Sequence, residues 1–313
     1  MKRLKESNIL ILLAVFVLLT VVLAITTPGF LSVAYLTRTM KFMTESGLIA
    51  IAMAFVILTG GIDLSVGSVI ALSSVSLGMM CSAGIPPVLS LLITLVVGLI
   101  CGMLNGIVVG ALNIPPMVVT LATMSLYRGI AVGLSMGNSY HMPDEIIFLG
   151  QGLIGPVPVQ FLILLFALFS GLFILKRTNM GQNLKAIGFN EEAARYTGIR
   201  VLFEKVRVYM LSGALSAAVG ILLACRVGSA KADYGVGSEM DAITIAVFGG
   251  ATLSGGRINL AGSFIAATII TLMKLGMTIA IIPSEVQSIF IGVILMLSIV
   301  LNNRIFMRKE TRM

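Results

Sequence analysis

The sequence is poor in charge and in metal-binding side chains. Only 11% of its 313 residues are Asp, Glu, Lys or Arg, against about a quarter in an average soluble domain. A soluble globule of this length would lack the polar surface to cover its core. The same shortage excludes a disordered chain and, despite a net charge of +8, one that binds nucleic acid. His141 is the single histidine, so a His-based metal centre is ruled out. Cys81, Cys101 and Cys225 all fall inside apolar stretches, and three embedded thiols give neither a disulfide framework nor a metal-ligand spacing. Nucleotide and hydrolase motifs are missing too. The phosphate loop needs a Lys for the phosphates and a hydroxyl for magnesium, and the Gly-rich run Gly249 to Arg257 has neither in place. With no Gly-x-Ser-x-Gly elbow and no His-Glu-x-x-His pair, no catalytic residue, bound cofactor or metal is expected in this chain.

What is present is apolar: 58% of the residues come from the set AVILMFWYC. The runs are continuous and do not alternate, which excludes the in-out pattern of a transmembrane barrel. An all-α polytopic membrane protein follows, with about ten transmembrane helices of about 20 residues each. The expected spans are 9–27, 44–60, 64–82, 87–111, 117–136, 159–175, 206–225, 239–250, 259–281 and 285–302. The pair 44–60 and 64–82 nearly touches, and 239–250 is too short to cross. Broken or short segments are tolerated at membrane depth only where protein or a water path covers their backbone, or they reflect Gly permitting close helix packing. The first run, Ile9 to Ile25, leads into Thr26-Thr27-Pro28-Gly29 with no small-x-small cleavage site and reads as a retained span.

Fourteen of the 21 Lys and Arg fall in three groups. Lys2, Arg3 and Lys5 precede the first span, and Arg304, Arg308, Lys309 and Arg312 follow the last. The third group holds Lys176, Arg177, Lys185, Arg195, Arg200, Lys205 and Arg207. The positive-inside rule puts both termini and this middle loop in the cytoplasm. Six spans precede the loop and four follow it, so parity agrees.

Two breaks share the pattern GGxxLSxG, at Gly60 to Gly67 and at Gly249 to Gly256, which is either a trace of duplication or chance in a Gly-rich chain. Asp63 stands where the first break meets a new apolar run. It is either a helix cap that accepts from the amides of Ser65 or Val66 or an ion-coupling carboxylate. Arg128 and Lys274 are the other charges at membrane depth. Neither has an evident partner, and both lie close enough to a span end to snorkel. In the middle loop, Asn190 can cap a short helix whose positive end suits Glu191 and Glu192, and Gly198 can end it. Two turns are unstable alone in water, so this helix needs either a protein groove or the bilayer surface.

Three motifs recur together and in order: Gly61-Ile62-Asp63-Leu64-Ser65-Val66-Gly67-Ser68; Gly188-x-Asn190-x-x-Ala193-Ala194-x-x-x-Gly198-Ile199; and Glu239-Met240-Asp241-Ala242-Ile243 followed by Gly249-Gly250 and Ser254-Gly255-Gly256. Over essentially the whole chain they resemble the permease subunit of the ribose-type ABC importers, the branch that takes up monosaccharides. The resemblance implies one permease domain over 1–313, an inner-membrane location, and pairing with a second copy or a related chain. It implies a cytoplasmic ATPase, which uses the ATP and magnesium, and a periplasmic sugar-binding protein. By position, Asn190, Glu191, Glu192, Ala193, Ala194, Arg195 and Gly198 would form the ATPase-coupling helix within a loop over 176–205. The loop is similar to the EAA signature but lacks its Leu-Pro. Arg38, Lys41, Arg226 and Lys231 would face the periplasm, either docking acidic pairs of the binding protein or meeting headgroups. Asp144-Glu145 would oppose an acidic partner there. Asp63, Asn105 and Asn113 are the candidates beside the solute path. An ion-coupled carrier using Asp63 or Glu45, and a scaffold that moves no solute, are the competing classes.

Overall fold

The computed structural model describes residues 2–27 and 29–310, with side chains described for 9–27 and 29–300. Lys2, Arg3, Lys5, Arg304, Arg308, Lys309 and Arg312, which carry part of the orientation argument, lie outside the described side chains. The helices are α1 (Lys2–Thr26), α2 (Val33–Leu58), α3 (Val66–Ser82), α4 (Pro87–Ala111), α5 (Pro116–Ser135), α6 (Asp144–Gln151), α7 (Val159–Arg177), α8 (Asn179–Phe189), α9 (Glu191–Tyr196), α10 (Val201–Val227), α11 (Ser238–Phe248), α12 (Leu260–Ile279) and α13 (Ser284–Glu310). Four two-residue strands make two small ribbons. β1 (Tyr140–His141) pairs with β4 (Ser229–Ala230), and β2 (Leu153–Ile154) pairs with β3 (Val157–Pro158).

Among the described residues, seven helices are long and apolar enough to cross a membrane: α1, α2, α4, α5, α7, α10 and α12. α3 and the Ser284–Val300 part of α13 are apolar but shorter. α2 is the central post, 78% buried, whereas α1 is only 11% buried and lies at the edge. Prolines at the first position start α4 and α5, where a missing amide proton costs nothing. The spacing Gly98-x3-Gly102-x3-Gly106-x3-Gly110 lays a strip of bare backbone along α4. α10 packs directly on this strip, and a Cβ at Gly102 would stand 2.0 Å from the Tyr209 carbonyl oxygen. That is the close approach small residues allow where lipid gives helices no hydrophobic reason to associate.

The largest departure from expectation is at α2, which starts at Val33 and not near residue 44. Ser32 caps it, its Oγ accepting from the Tyr35 amide at 3.2 Å. The charges that interrupt the apolar run all have partners on the folded side. Arg226 lies 4.3 Å from the Phe42 ring centroid and donates to Glu45 at 2.6 and 3.2 Å, and Lys41 donates to the Gln151 carbonyl at 3.0 Å. The loop expected over 176–205 is mostly helical, as α8 and α9. α6 and the two ribbons were not anticipated. They close the end of the molecule that holds Arg38 and Arg226.

Candidate functional site

α9 is a six-residue helix held at both ends. Asn190 Oδ1 accepts from the Ala193 amide at 2.9 Å, the cap that its sequence position predicts. Gly198, with φ of +85°, ends it, and the Ile199 amide reaches back to the Ala194 carbonyl at 3.2 Å. Glu191 bonds Lys205 at 2.7 Å and Arg195 at 2.9 Å, and Arg195 also donates to Asn113 Oδ1 at 3.0 Å. Asn113 sits in the α4–α5 turn with φ of +52°, a conformation Asn tolerates. The structure therefore places Asn113 beside α9 and away from Asp63 and Asn105.

The two faces of α9 differ. Ala194 is buried with Ile187 and Val201, against Ala186 and Ile199. Glu192, Ala193, Arg195 and Tyr196 point outward, and Tyr196 is 85% exposed. Phe189, at the end of α8, adds a second exposed aromatic ring. Ala194 thus seats the helix on its own chain, and the surface available to another protein is the Phe189–Tyr196 face. The short helix does not stand alone in water, because its inner side already has a groove.

Burial works against ionisation of Glu191, but the hydrogen bonds from Lys205 and Arg195, and their charges, outweigh it and hold the carboxyl below the usual glutamate range. A depressed carboxyl contributes stability above its unfolded value of about 4.3 and loses it as pH falls through the folded value. The thermal stabilities of the parent and Glu191→Gln are therefore expected to differ at pH 7 and to converge below about pH 4. Melting curves of the purified protein across that interval check this.

Behind α8 the chain makes a three-way junction of bare backbone. The Gly256 amide donates to the Leu58 carbonyl at 2.9 Å. A Cβ on Gly188 would lie 1.9 Å from that same Leu58 oxygen and 2.3 Å from the Gly256 nitrogen, and one on Gly255 would lie 2.9 Å from the Gly60 nitrogen. The two GGxxLSxG breaks, far apart in sequence, are thus spatial neighbours, and the α8–α9 loop rests on both.

Just past the first break, Asp63 is buried and fully engaged. Its Oδ1 accepts from the Ser65 amide at 3.0 Å and the Ser65 hydroxyl at 2.6 Å, and its Oδ2 accepts from Ser212 at 2.7 Å. Asn105 donates to Ser65 Oγ at 2.8 Å, and the Tyr127 hydroxyl lies 3.4 Å from Asn105 Oδ1. This network staples the break to α4, α5 and α10. Asp63 forms an Asx turn ahead of α3, and no cation pairs with it among the described residues. Arg128 and Lys274 do not snorkel. Arg128 donates to the carbonyls of Ala232, Tyr234 and Gly67 at 2.7, 2.8 and 3.1 Å, and Lys274 pairs with Asp241.

At the far end, Arg38, Lys41 and Arg226 gather around Phe42 in a depression of about 360 Å³. Lys231 stands apart beside β4, exposed. Glu45, Asp241 and Lys274 are the charged residues whose roles the sequence does not reveal. Their partners lie 181 and 33 positions away, and no local spacing marks them.

Residues 35–299 match the family model described as "Branched-chain amino acid transport system / permease component". The chain is 36% identical over 296 residues to the ribose import permease protein of Bacillus subtilis (strain 168), covering 92% of this chain and 90% of that protein. It is 37% identical over 303 residues to a probable ABC transporter permease protein of Escherichia coli (strain K12), covering 95% and 90%. It is 35% identical over 298 residues to the autoinducer 2 import system permease protein of Photorhabdus laumondii subsp. laumondii, covering 92% and 89%. No solved structure matches the chain. With the family model and three near-full-length relatives in agreement, the chain belongs to this family of ABC importer permeases and is a multi-pass protein of the inner membrane.

Proposed function

We propose that this chain is the translocating subunit of an ATP-driven importer for a monosaccharide or a related small polar solute. A separate cytoplasmic ATPase would seat on α9, a periplasmic binding protein would deliver the solute, and a second permease copy or paralogue would complete the pore. The observation that carries this reading is α9 itself: a short capped helix, fixed on its inner side by Ala194 and presenting Phe189, Glu192 and Tyr196 outward. Such a face fits a groove in another protein better than the bilayer, because it lacks the broad apolar surface of an interfacial helix. The relatives named for ribose and autoinducer 2 support the solute class.

We read α3, α11 and α13, together with the seven longer helices, as ten membrane segments of one domain over 1–313. Leu58, Asn113, Arg177 and Gly249 all end segments at the α8–α9 side, so alternating passage puts both termini on that side. The cluster of Arg38, Lys41 and Arg226 then faces the periplasm, where it suits an acidic docking partner. Movement would be alternating access, driven by ATPase closure on α9 and passed to the helices around the glycine junction.

Nothing favours ion-coupled transport. Asp63 spends both oxygens on hydroxyl and amide donors and faces no cation. Asn in its place still accepts from Ser65, so Asp63→Asn is expected to lower uptake by no more than about threefold through weaker hydrogen bonding. Uptake of a labelled monosaccharide should stop on ATP depletion and persist under an uncoupler while glycolysis holds ATP. Uncoupler-sensitive uptake, abolished in Asp63→Asn, would overturn the importer reading.

A further inference from the structure

A cavity of about 320 Å³ lies between α2, α3, α10, α11, α12 and α13, at the lower end of the roughly 300–1,000 Å³ range of small-molecule pockets. It shares Arg38 and Phe42 with the basic depression, so the two adjoin. Its depth follows from helix geometry. α11 has 11 residues and rises about 16 Å, about half of a hydrocarbon core of ~30 Å. Its first turn, with Ser238 and Asp241, therefore opens near mid-membrane. Ser46 lies about 18 Å above Leu58 on α2 by the same rise. Toward the α8–α9 end the floor is apolar, made by Ile49, Ile70, Val219 and Leu223. The cavity is closed on that side and faces the Arg38 side.

The chemistry of its wall separates two solute classes. An amino acid zwitterion needs one free carboxylate and one free cation. Here the acids are already taken: Glu45 by Arg226, and Asp241 by Lys274. Arg38, at the rim, meets only the Phe42 ring, 5.7 Å from its centroid, and the other polar groups without a partner among the described residues are hydroxyls. Ser46 and Ser238 line the cavity and make no hydrogen bond through their side chains among the described residues. Thr271 is 4% exposed, and its Oγ1 has no partner among the described residues. A helical Thr hydroxyl usually bonds the carbonyl one turn back, and Thr39, Thr44 and Thr278 do so here. Thr271 does not, and a buried orphan hydroxyl is costly unless a ligand or water completes it.

From this we infer that the cavity is a binding site on the transport route for a neutral polyhydroxylated solute, held by Ser46, Ser238 and Thr271, with Phe42 as its apolar wall. The two ion pairs brace the wall and occupy both of its carboxylates, leaving Arg38 at the rim as the cation without one among the described residues. The inference rests on the importer reading and adds to it the site and the exclusion of zwitterions.

The test does not depend on the ATPase. With Cys81, Cys101 and Cys225 replaced by Ala, Ser46→Cys and Ser238→Cys are introduced singly into the full chain in membranes. Each is labelled with a small charged thiol reagent, with Lys231→Cys outside the cavity as control. D-ribose, D-xylose, D-galactose and myo-inositol are the neutral probes, and L-leucine and L-valine the zwitterionic ones. The expected result is labelling at both cavity positions, slowed at least fivefold by one or more of the polyols, unaffected by the amino acids, with the control unchanged. Adding Thr271→Val should raise the polyol concentration needed by about tenfold, and Thr271→Ser should restore it. No labelling, no protection by any of the neutral probes, or protection by either amino acid would overturn the inference. ATP-dependent uptake measured in parallel tests the importer reading by itself, so the two failures are distinguishable.

Discussion

Replacing Gly188 with alanine is expected to abolish uptake and to lower the melting temperature of the solubilised protein by about 5 °C, the shift that an overpacking cost of about 3 kcal/mol implies. The added methyl would stand 1.9 Å from the Leu58 oxygen and 2.3 Å from the Gly256 nitrogen. Both are backbone atoms, so no side-chain rotation relieves the clash. Either α8 lifts away from the junction or the bond from the Gly256 amide to Leu58 breaks. In both cases the α8–α9 loop loses its seat on the two helix breaks, and displacement of α9 no longer reaches α2 and α11. Gly129→Ala is the matched control. A Cβ there meets nothing within 4 Å, and alanine is the better helix former by about 1 kcal/mol, so stability and uptake should hold or improve. Thermal unfolding and uptake measured on both variants settle the matter, and full uptake by Gly188→Ala would show that the junction transmits nothing.

The glycines explain how much of this molecule the sequence discloses. Apolar runs mark every long helix because lipid demands about 20 apolar residues whatever lies beside them. The ends of α4, α5, α7 and α12 are read within a few residues from Pro, Gly and charge. The start of α2 is missed by about three turns, since Arg38, Lys41 and Glu45 look like a span boundary until Gln151 and Arg226 arrive from elsewhere in the chain to meet Lys41 and Glu45. The α9 helix is legible because its parts are local: Asn190, the two glutamates and Gly198 lie within nine positions. The cavity is not legible. Ser46, Ser238 and Thr271 are ordinary residues on three helices, and only packing brings them together. Asn113 shows the same limit in reverse. It is a polar residue at a span end, and its partner Arg195 ties it to α9. The repeated GGxxLSxG is visible in the sequence, but its meaning as a spatial junction depends on Gly188.

Two neighbouring substitutions on α9 are expected to fail in different ways. Ala194→Glu forces a carboxylate into the space among Ile187, Val201 and Ile199, where no cation waits, and a buried unpaired charge destabilises its site by several kcal/mol. The α8–α9 loop should come loose, with increased protease cleavage between residues 186 and 200 and loss of the ATPase subunit as a consequence. Tyr196→Ala removes a ring that is 85% exposed. Its melting temperature and protease pattern should match the parent. An aromatic anchor at the centre of a protein interface is worth about 2 kcal/mol or more, or about a thirtyfold loss of affinity. Co-purification of the ATPase in mild detergent should therefore fall steeply for Tyr196→Ala while the permease itself is unchanged. Ala194→Glu cannot separate coupling from folding, whereas Tyr196→Ala can. If Tyr196→Ala retains its ATPase in full, the outward face of α9 is not where that partner binds.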